Sequence, residues 1–250
     1  MDSLTHIQKK AIKYSRKKSK CYHKSTWGNV KCRFLELGHN LNDLEEVIEY
    51  IKNRVKIIIH IKLDKLYPYI KSDTHYRNQF ETNAKGSLYT QSRVMWENAR
   101  FGNIYGDTTD NGSERVKYGC LNMYSQKSGC AHARTYGSSY IVLNDDVRSR
   151  ATFVSDCSKK EIHMCTFDYF GHLLLYASNE MINNLVKISK SLTGEFIDFE
   201  IKNVYPNIEI QIHGDIIFAR DVDKIMVDRA TTAEAIQALI DKNIKFEYYN

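Results

Sequence analysis

A short segment around residue 210 limits the fold most, because its apolar and polar residues alternate strictly. In Ile208–His213 (IEIQIH), each isoleucine is followed by a residue that can form hydrogen bonds. Successive side chains of a β-strand point to opposite faces of the sheet. The isoleucines are therefore predicted to face a core, and Glu209, Gln211 and His213 to share the other face. Such a polar face is either a catalytic wall or the ordinary surface of a sheet.

Helix and strand patterns alternate irregularly along the rest of the chain, without a strand-helix-strand rhythm. This mixture predicts an α+β fold rather than a doubly wound α/β fold. Helices are expected after two capping boxes, Asn42 with Glu45 and Thr231 with Glu234. Further helices are predicted over 84–101 and 179–192, and Gly194 is expected to stop the second of them. Residues 102–119 are predicted to form a loop. Strands are predicted at 55–61, 138–143, 151–154, 196–201, 208–213 and 215–219.

Length and composition place the chain among ordinary globular proteins. Its 250 residues are 42% hydrophobic and 26% charged, which excludes disorder throughout the chain. No apolar stretch approaches 18 residues, so no membrane span is predicted. The first 20 residues lack the apolar core of a Sec-type signal peptide. The six cysteines are too sparse for a disulfide scaffold and are interpreted as mostly free thiols in a reducing compartment.

The net charge of +6 comes largely from a basic segment before residue 35. Its apolar stripe predicts an amphipathic helix. Such a helix could contact a nucleic acid or an anionic membrane, or simply present a solvated outer face. The solvated face is favoured, because aromatic residues do not interleave with the charges. No nucleic-acid partner is therefore expected. The stripe consists of Leu4, Ile7, Ala11 and Ile12.

Other site chemistries find little support in the sequence. Cys21, His23, Cys32 and His39 have a spacing that matches no common zinc pattern, so no metal is expected. A Cys–His hydrolase stays open as an alternative, although no local signature singles out a nucleophile.

Two further segments are dense in polar and aromatic residues. THYRNQFET, residues 74–82, contains Arg77, and RTYGSSYIVL, residues 134–143, contains Ser138 and Ser139 at the start of a strand. A buried arginine on a strand often binds a phosphate or a carboxylate. Taken singly, a structural ion pair for Arg77 and an ordinary turn before the serines are the simpler interpretations.

Taken together, the order Arg, Ser-Ser, Glu resembles the layout of the ADP-ribosyltransferase superfamily. Longer segments of the chain are similar to one bacterial family whose function was formerly unknown. These segments are YRNQFET, RVMWENARFGNIYG, ERVKYGCLNMY, YGSSYIVL and EIQIHGDIIFARDVDKIMVD. That family resembles the CteC-type effectors, which ADP-ribosylate ubiquitin on a threonine. The resemblance covers about residues 55–230.

The resemblance implies two small β-sheets packed at an angle, with NAD as a substrate in the cleft between them. It implies that Glu209 stabilises the positive charge that develops on the ribose. Gln211 would face the substrate, and His213 would position the acceptor or act as a base. The implied NAD-binding residues are Arg77, Asn78, Gln79, Tyr118, Ser138 and Ser139.

The resemblance also implies the organisation and setting of the protein. Residues 1–54 are expected to form a basic helical extension and residues 55–250 a catalytic domain, in a monomeric protein. The protein is expected to be secreted by a bacterium and to act in the host cytosol on a host protein. Ubiquitin is the leading candidate for this host protein. The superfamily motif usually ends in glutamate, whereas here Glu209 precedes Gln211. An NAD glycohydrolase and a non-catalytic binding module therefore stay open as alternatives.

Overall fold

The computed structural model describes residues 4–82, 90–106, 112–155, 163–191 and 208–249. Helices and strands are mixed along this part of the chain, as the α+β expectation requires. The helices are α1 (His6–Glu36), α2 (Leu41–Glu49), α3 (Leu63–Ser72), α4 (Gln79–Thr82), α5 (Thr90–Phe101), α6 (Gly171–Tyr176), α7 (Asn179–Ser189), α8 (Phe218–Asp221) and α9 (Ala233–Asp241). The strands are β1 (Lys56–Ile61), β2 (His75–Tyr76), β3 (Lys117–Asn122), β4 (Ser139–Leu143), β5 (Ala151–Ser155), β6 (Ile208–Ile212), β7 (Ile216–Ile217), β8 (Val222–Val227) and β9 (Phe246–Tyr248).

Seven of these strands form one sheet in the order β5-β6-β3-β1-β4-β8-β9, and β2 pairs with β7 in a separate two-stranded sheet. Every neighbouring pair is antiparallel except β8 and β9, which run parallel. A mostly antiparallel sheet is typical of α+β proteins. The described strands thus build one large and one very small sheet, whereas the sequence led us to expect two small ones.

One face of the large sheet carries the main hydrophobic core. Ile57 of β1, Leu121 of β3 and Ile210 of β6 are almost completely buried there. The helices of residues 1–54 contribute Val30 and Phe34 to this same core. The N-terminal helices are therefore packed onto the body of the protein.

The opposite face of the sheet is covered in part by α5. Phe101 at the end of α5 packs with Ala11 of α1 and Val154 of β5 in a second, smaller cluster. Next to this cluster, polar side chains fill the space between α5 and strands β3 and β6. A buried polar layer therefore lies against β6, the strand that was predicted from the alternating sequence.

The predicted basic helix is present as α1, and its cations lie on the outside. Lys9, Lys13 and Lys17 are exposed, and Arg16 forms a surface ion pair of 2.9 Å with Asp168. No helix in the described ranges is long and apolar enough to cross a membrane.

Both predicted capping boxes are wrong in position. Helix α2 begins two residues earlier than predicted, with Asn40 as its N-cap and Asp43 as the reciprocal partner. Helix α9 has Thr232 as its N-cap, and the Thr232 side chain donates to Asp64 instead of capping its own helix.

Most other predicted elements are confirmed, with shifts at their ends. The strands predicted at 55–61, 138–143 and 151–154 match β1, β4 and β5. The helices predicted at 84–101 and 179–192 match α5 and α7, and the predicted loop at 102–119 contains the start of β3. The strand predicted at 196–201 and Gly194 lie outside the described residues.

Candidate functional site

The polar face of β6 is connected by hydrogen bonds along the strand. The Nε2 atom of Gln211 donates to Oε1 of Glu209 at 2.9 Å. The hydroxyl of Thr152 on β5 donates to Oε1 of Gln211 at 3.2 Å and lies 3.4 Å from Nε2 of His213. Glu209, Gln211 and His213 therefore share one face, which confirms the prediction from the alternating sequence.

Glu209 differs from its two neighbours because its side chain is partly exposed to solvent. Its side chain is 26% exposed, whereas Gln211 and His213 are completely buried. Arg100 of α5 forms an ion pair with Oε1 of Glu209, and the guanidinium of Arg100 lies 5.7 Å from the ring centre of Trp96. A carboxylate that is fixed by two donors and still accessible can stabilise a positive charge that develops on a bound ligand.

His213 lies behind this carboxylate and is buried. Its Nδ1 atom is 2.7 Å from the hydroxyl of Tyr105. Burial, together with the nearby cations Arg150 and Lys117, lowers the pKa of His213 to about 3. The imidazole is therefore neutral at physiological pH. Its position makes it a hydrogen-bonding group behind the site, without direct access to solvent.

Helix α5 contributes a second carboxylate that sequence analysis missed. Glu97 is completely buried, and its Oε2 atom lies 2.6 Å from Nη1 of the equally buried Arg115. The hydroxyl of Tyr118 donates to Oε1 of Glu97 at 2.9 Å. Burial raises the pKa of Glu97, and the Arg115 guanidinium opposes this shift.

Arg93, one helical turn before Glu97, completes the layer. Its Cζ atom lies 3.9 Å from the centre of the Tyr118 ring, within the range of a cation–π contact. Arg93, Glu97 and Arg100 follow each other at spacings of four and three residues, so they lie on one face of α5. The sequence RVMWENAR shows this spacing and so indicates that the three residues share one face of a helix. It does not show which strands this face covers, and the role of the three residues depends on those strands.

Tyr118 was expected among the NAD-binding residues. Its strand places it opposite Gln211 in the register of β3 and β6. The guanidinium of Arg93 covers one face of its ring, and its hydroxyl binds Glu97. Tyr118 therefore belongs to the same polar layer as Glu209, with Arg93 as its stacking partner.

Arg77 comes just after β2 in the chain. It pairs with Asp73, with 2.6 Å between Nε and Oδ2, and its guanidinium lies 5.5 Å from the ring centre of Tyr69. Its hydrogen bond to the carboxylate is the main cause that lowers the pKa of Asp73. The described contacts do not bring Arg77 together with Glu209; they form the structural ion pair weighed as the simpler alternative.

Asn78 connects backbone segments on the other side of Arg77. Its side-chain oxygen accepts from the backbone of Phe80 and Glu81, and its Nδ2 atom donates to the carbonyl of Gly112 at 2.7 Å. These bonds fix the start of α4. The side chain of Gln79, another expected NAD-binding residue, lies outside the described part of the structure.

Ser139 begins β4 and Ser138 comes just before it, several strands away from β6 and Glu209. Strands β3 and β1 lie between β6 and β4, so three strand spacings, roughly 14 Å, separate the two. The hydroxyl of Ser139 accepts a 3.1 Å hydrogen bond from the backbone of Asp228, and the carbonyl of Ser138 accepts one from Tyr249. Gln211 and Arg100, rather than the serines, hold Glu209 in this structure.

A cysteine–histidine pair is present, but its environment does not suit nucleophilic catalysis. The sulfur of Cys165 lies 3.1 Å from Nε2 of His172, and both residues are buried. Burial raises the pKa of the Cys165 thiol and lowers the pKa of His172 to about 4. Both groups are therefore neutral at physiological pH, whereas a reactive pair needs the thiolate.

The two histidines that were weighed for zinc have other partners. His23 accepts a hydrogen bond from the backbone of Gly171 at 3.0 Å, and His39 lies 2.7 Å from the side-chain oxygen of Asn183. The described ranges contain no group of three or more potential metal ligands. The cysteines in these ranges are free thiols.

The fold and the polar layer define an α+β protein with a partly exposed carboxylate on an antiparallel sheet. The model of a family described as a protein of unknown function (DUF3626) matches residues 66–180, somewhat less than half of the chain. The matched stretch includes α5 and β3 but ends before β6 and Glu209. Among curated proteins, no match was found.

Proposed function

We propose that this protein is a mono-ADP-ribosyltransferase that transfers ADP-ribose from NAD to a protein. The observation that carries the proposal is Glu209, a carboxylate held by Gln211 and Arg100 with a quarter of its side chain exposed. The sequence resemblance assigns the catalytic role to this same residue. As part of the proposal, we assign the α+β arrangement to the ADP-ribosyltransferase fold.

The reaction matches the chemistry of the site. The bond between the ribose and nicotinamide breaks, and nicotinamide leaves with the bonding electrons. A positive charge then develops on the ribose, as in glycoside hydrolysis. The Glu209 carboxylate stabilises this charge, and Gln211 keeps the carboxylate oriented. The acceptor oxygen forms the new bond to the ribose and loses its proton to solvent. NAD is the only cosubstrate in this scheme, and no metal takes part.

A host protein is the proposed acceptor, with a threonine of ubiquitin as the first to be tested. This choice rests on the resemblance to the CteC-type effectors, as does the proposed delivery of a monomeric protein into a host cytosol. A hydroxyl acceptor needs little activation when it attacks a strongly electrophilic ribose. The buried, neutral state of His213 is compatible with such an acceptor.

A non-catalytic binding module is the second candidate. The ion pair with Arg100 favours it, because this pair already occupies Oε1 of Glu209. In a transferase, NAD has to share or displace this contact. In a binding module, the ion pair simply joins α5 to the sheet.

Incubation of the purified protein with NAD, with and without ubiquitin, distinguishes these functions. Mass spectrometry follows ubiquitin, and chromatography follows free nicotinamide. We expect one ADP-ribose on ubiquitin and an equal amount of nicotinamide. Nicotinamide release without an adduct on any protein would instead identify an NAD glycohydrolase. If NAD is consumed neither with ubiquitin nor with a host-cell extract as acceptor, the result would contradict the transferase and support the non-catalytic binding module.

A further inference from the structure

Two nitrogens of the buried Arg93 guanidinium lack an acceptor in the described part of the chain. The residue is only 4% exposed, and neither Nε nor Nη1 has a hydrogen-bond partner in the described part of the chain. Its guanidinium contacts the π face of Tyr118, and this contact does not use the N–H groups of Nε and Nη1. Buried polar groups are nearly always hydrogen-bonded, so two unused donors on one side chain require an explanation.

Nearby carboxylates are engaged with other residues. The two oxygens of Glu97 bind Arg115 and Tyr118, and Glu209 binds Arg100 and Gln211. Within the described ranges, Arg93 forms no ion pair. The Glu97 carboxylate, one helical turn away, interacts electrostatically with Arg93, but both of its oxygens are already bound to Arg115 and Tyr118. A ligand that brings negatively charged oxygens to this position would satisfy the two unused donors of Arg93.

Arg93 also lies in the same layer as the proposed catalytic carboxylate. Tyr118, which stacks on Arg93, pairs with Gln211 across β3 and β6, and Glu209 is two residues along the same strand. The cation and the carboxylate are therefore on the same face of the sheet, on neighbouring strands and the helix above them. An extended ligand such as a dinucleotide could contact both.

We propose that Arg93 binds a phosphate-type oxyanion, and that this anion is the diphosphate of NAD. Guanidinium groups bind such anions through charge-assisted hydrogen bonds, and the several oxygens of a diphosphate can accept from both free nitrogens. The identity of the ligand rests on the proposed function, whereas binding of an oxyanion at Arg93 does not. The role that the sequence suggests for Arg77 thus belongs to Arg93.

Calorimetric titration with ADP-ribose and with pyrophosphate tests the proposal without any need for turnover. Arg93→Met removes the charge but keeps much of the side-chain volume. We expect this variant to bind ADP-ribose at least about tenfold more weakly, since charged hydrogen bonds are lost. Urea unfolding without ligand checks that the variant is folded before its affinity is compared with that of the wild type.

Three further variants make the result specific. Arg93→Lys keeps the charge but loses the planar guanidinium, so it should weaken binding less than Arg93→Met, and it serves as the test if Arg93→Met does not fold. Arg16→Met removes an exposed arginine of α1 and should bind ADP-ribose like the wild type. Arg77→Ala, the choice from sequence, should also leave the affinity unchanged.

The outcomes separate this proposal from the proposed function. Wild-type affinity in the folded Arg93 variants, or no binding of either ligand by the wild type, would overturn the role of Arg93. A loss of affinity in Arg77→Ala alone would return the role to Arg77. Binding that depends on Arg93 without release of nicotinamide from NAD would support the anion site and contradict the transferase.

Discussion

Arg100 of α5 and Glu209 of β6 form an ion pair between the helix and the sheet at the edge of the polar layer. The Arg100 side chain is 9% exposed and that of Glu209 is 26% exposed. A pair at this depth should be stronger than a surface salt bridge, which contributes at most about 1 kcal/mol. Its solvent contact should keep it weaker than a fully buried pair.

A double-mutant cycle measures this coupling. Arg100→Met keeps the aliphatic stem, and Glu209→Gln keeps an oxygen that can accept from Gln211. We expect the free energy of unfolding to show a coupling of about 1–2 kcal/mol between the two sites. Urea unfolding of the wild type, both single variants and the double variant provides the value. Additive effects would show that the ion pair does not contribute to stability.

Glu209→Gln should also separate catalysis from folding. The substitution removes the negative charge that stabilises the developing cation, so NAD consumption should fall at least about 100-fold. Glu247 is a matched control, because it is also a strand glutamate paired with a cation, Lys224, but lies on β9 at the other edge of the sheet. Glu247→Gln should keep full activity. Full activity in Glu209→Gln would remove Glu209 from the mechanism.

The sequence predicted the polar face of β6 correctly because the direction of a strand side chain is a local property. It did not predict Glu97 or Arg100 in the site, because their roles depend on which strands α5 covers. The misplaced start of α2 has a local cause. Asn40 and Asn42 are each followed three residues later by an acidic residue, so the pattern alone fits both.

The two sequence segments around Arg77 and Ser139 illustrate a second limit. Each contains residue types suited to a ligand, but in the structure Arg77 binds Asp73 and Ser139 binds the backbone of Asp228. Arg93, with two unused donors, lies in a helix whose sequence shows no binding motif. Whether a polar group has a partner is a property of the tertiary structure, so composition and spacing could not reveal it.

Buried histidines should make the protein sensitive to acid. Burial lowers the pKa of His213 to about 3 and the pKa values of His60 and His172 to about 4. In the unfolded chain the pKa is near 6.5, so between these values the unfolded state binds more protons. Stability should therefore fall as the pH drops below about 6.5, by up to about 1.4 kcal/mol per pH unit for each histidine.

His172→Gln tests this expectation, because it removes one of the three groups. The variant should lose less stability than the wild type between pH 7.5 and pH 5.5 in urea unfolding. His6→Gln, at an exposed position on α1, is the control and should leave the pH dependence unchanged. The same slope in His172→Gln and the wild type would contradict the assignment of a depressed pKa.

Two glycines should respond to alanine in opposite ways. A Cβ atom at Gly137, where φ is +152°, would lie 1.8 Å from the carbonyl oxygen of Ile61, so the backbone of β1 would have to move. Gly137→Ala should lower the free energy of unfolding by at least about 3 kcal/mol.

Gly28 lies inside α1, and a Cβ atom there meets no atom of the described structure within 4 Å. Gly28→Ala should raise stability by about 1 kcal/mol, because alanine favours the helix. Urea unfolding checks both values, and a destabilised Gly28→Ala would contradict the open position assigned to this residue.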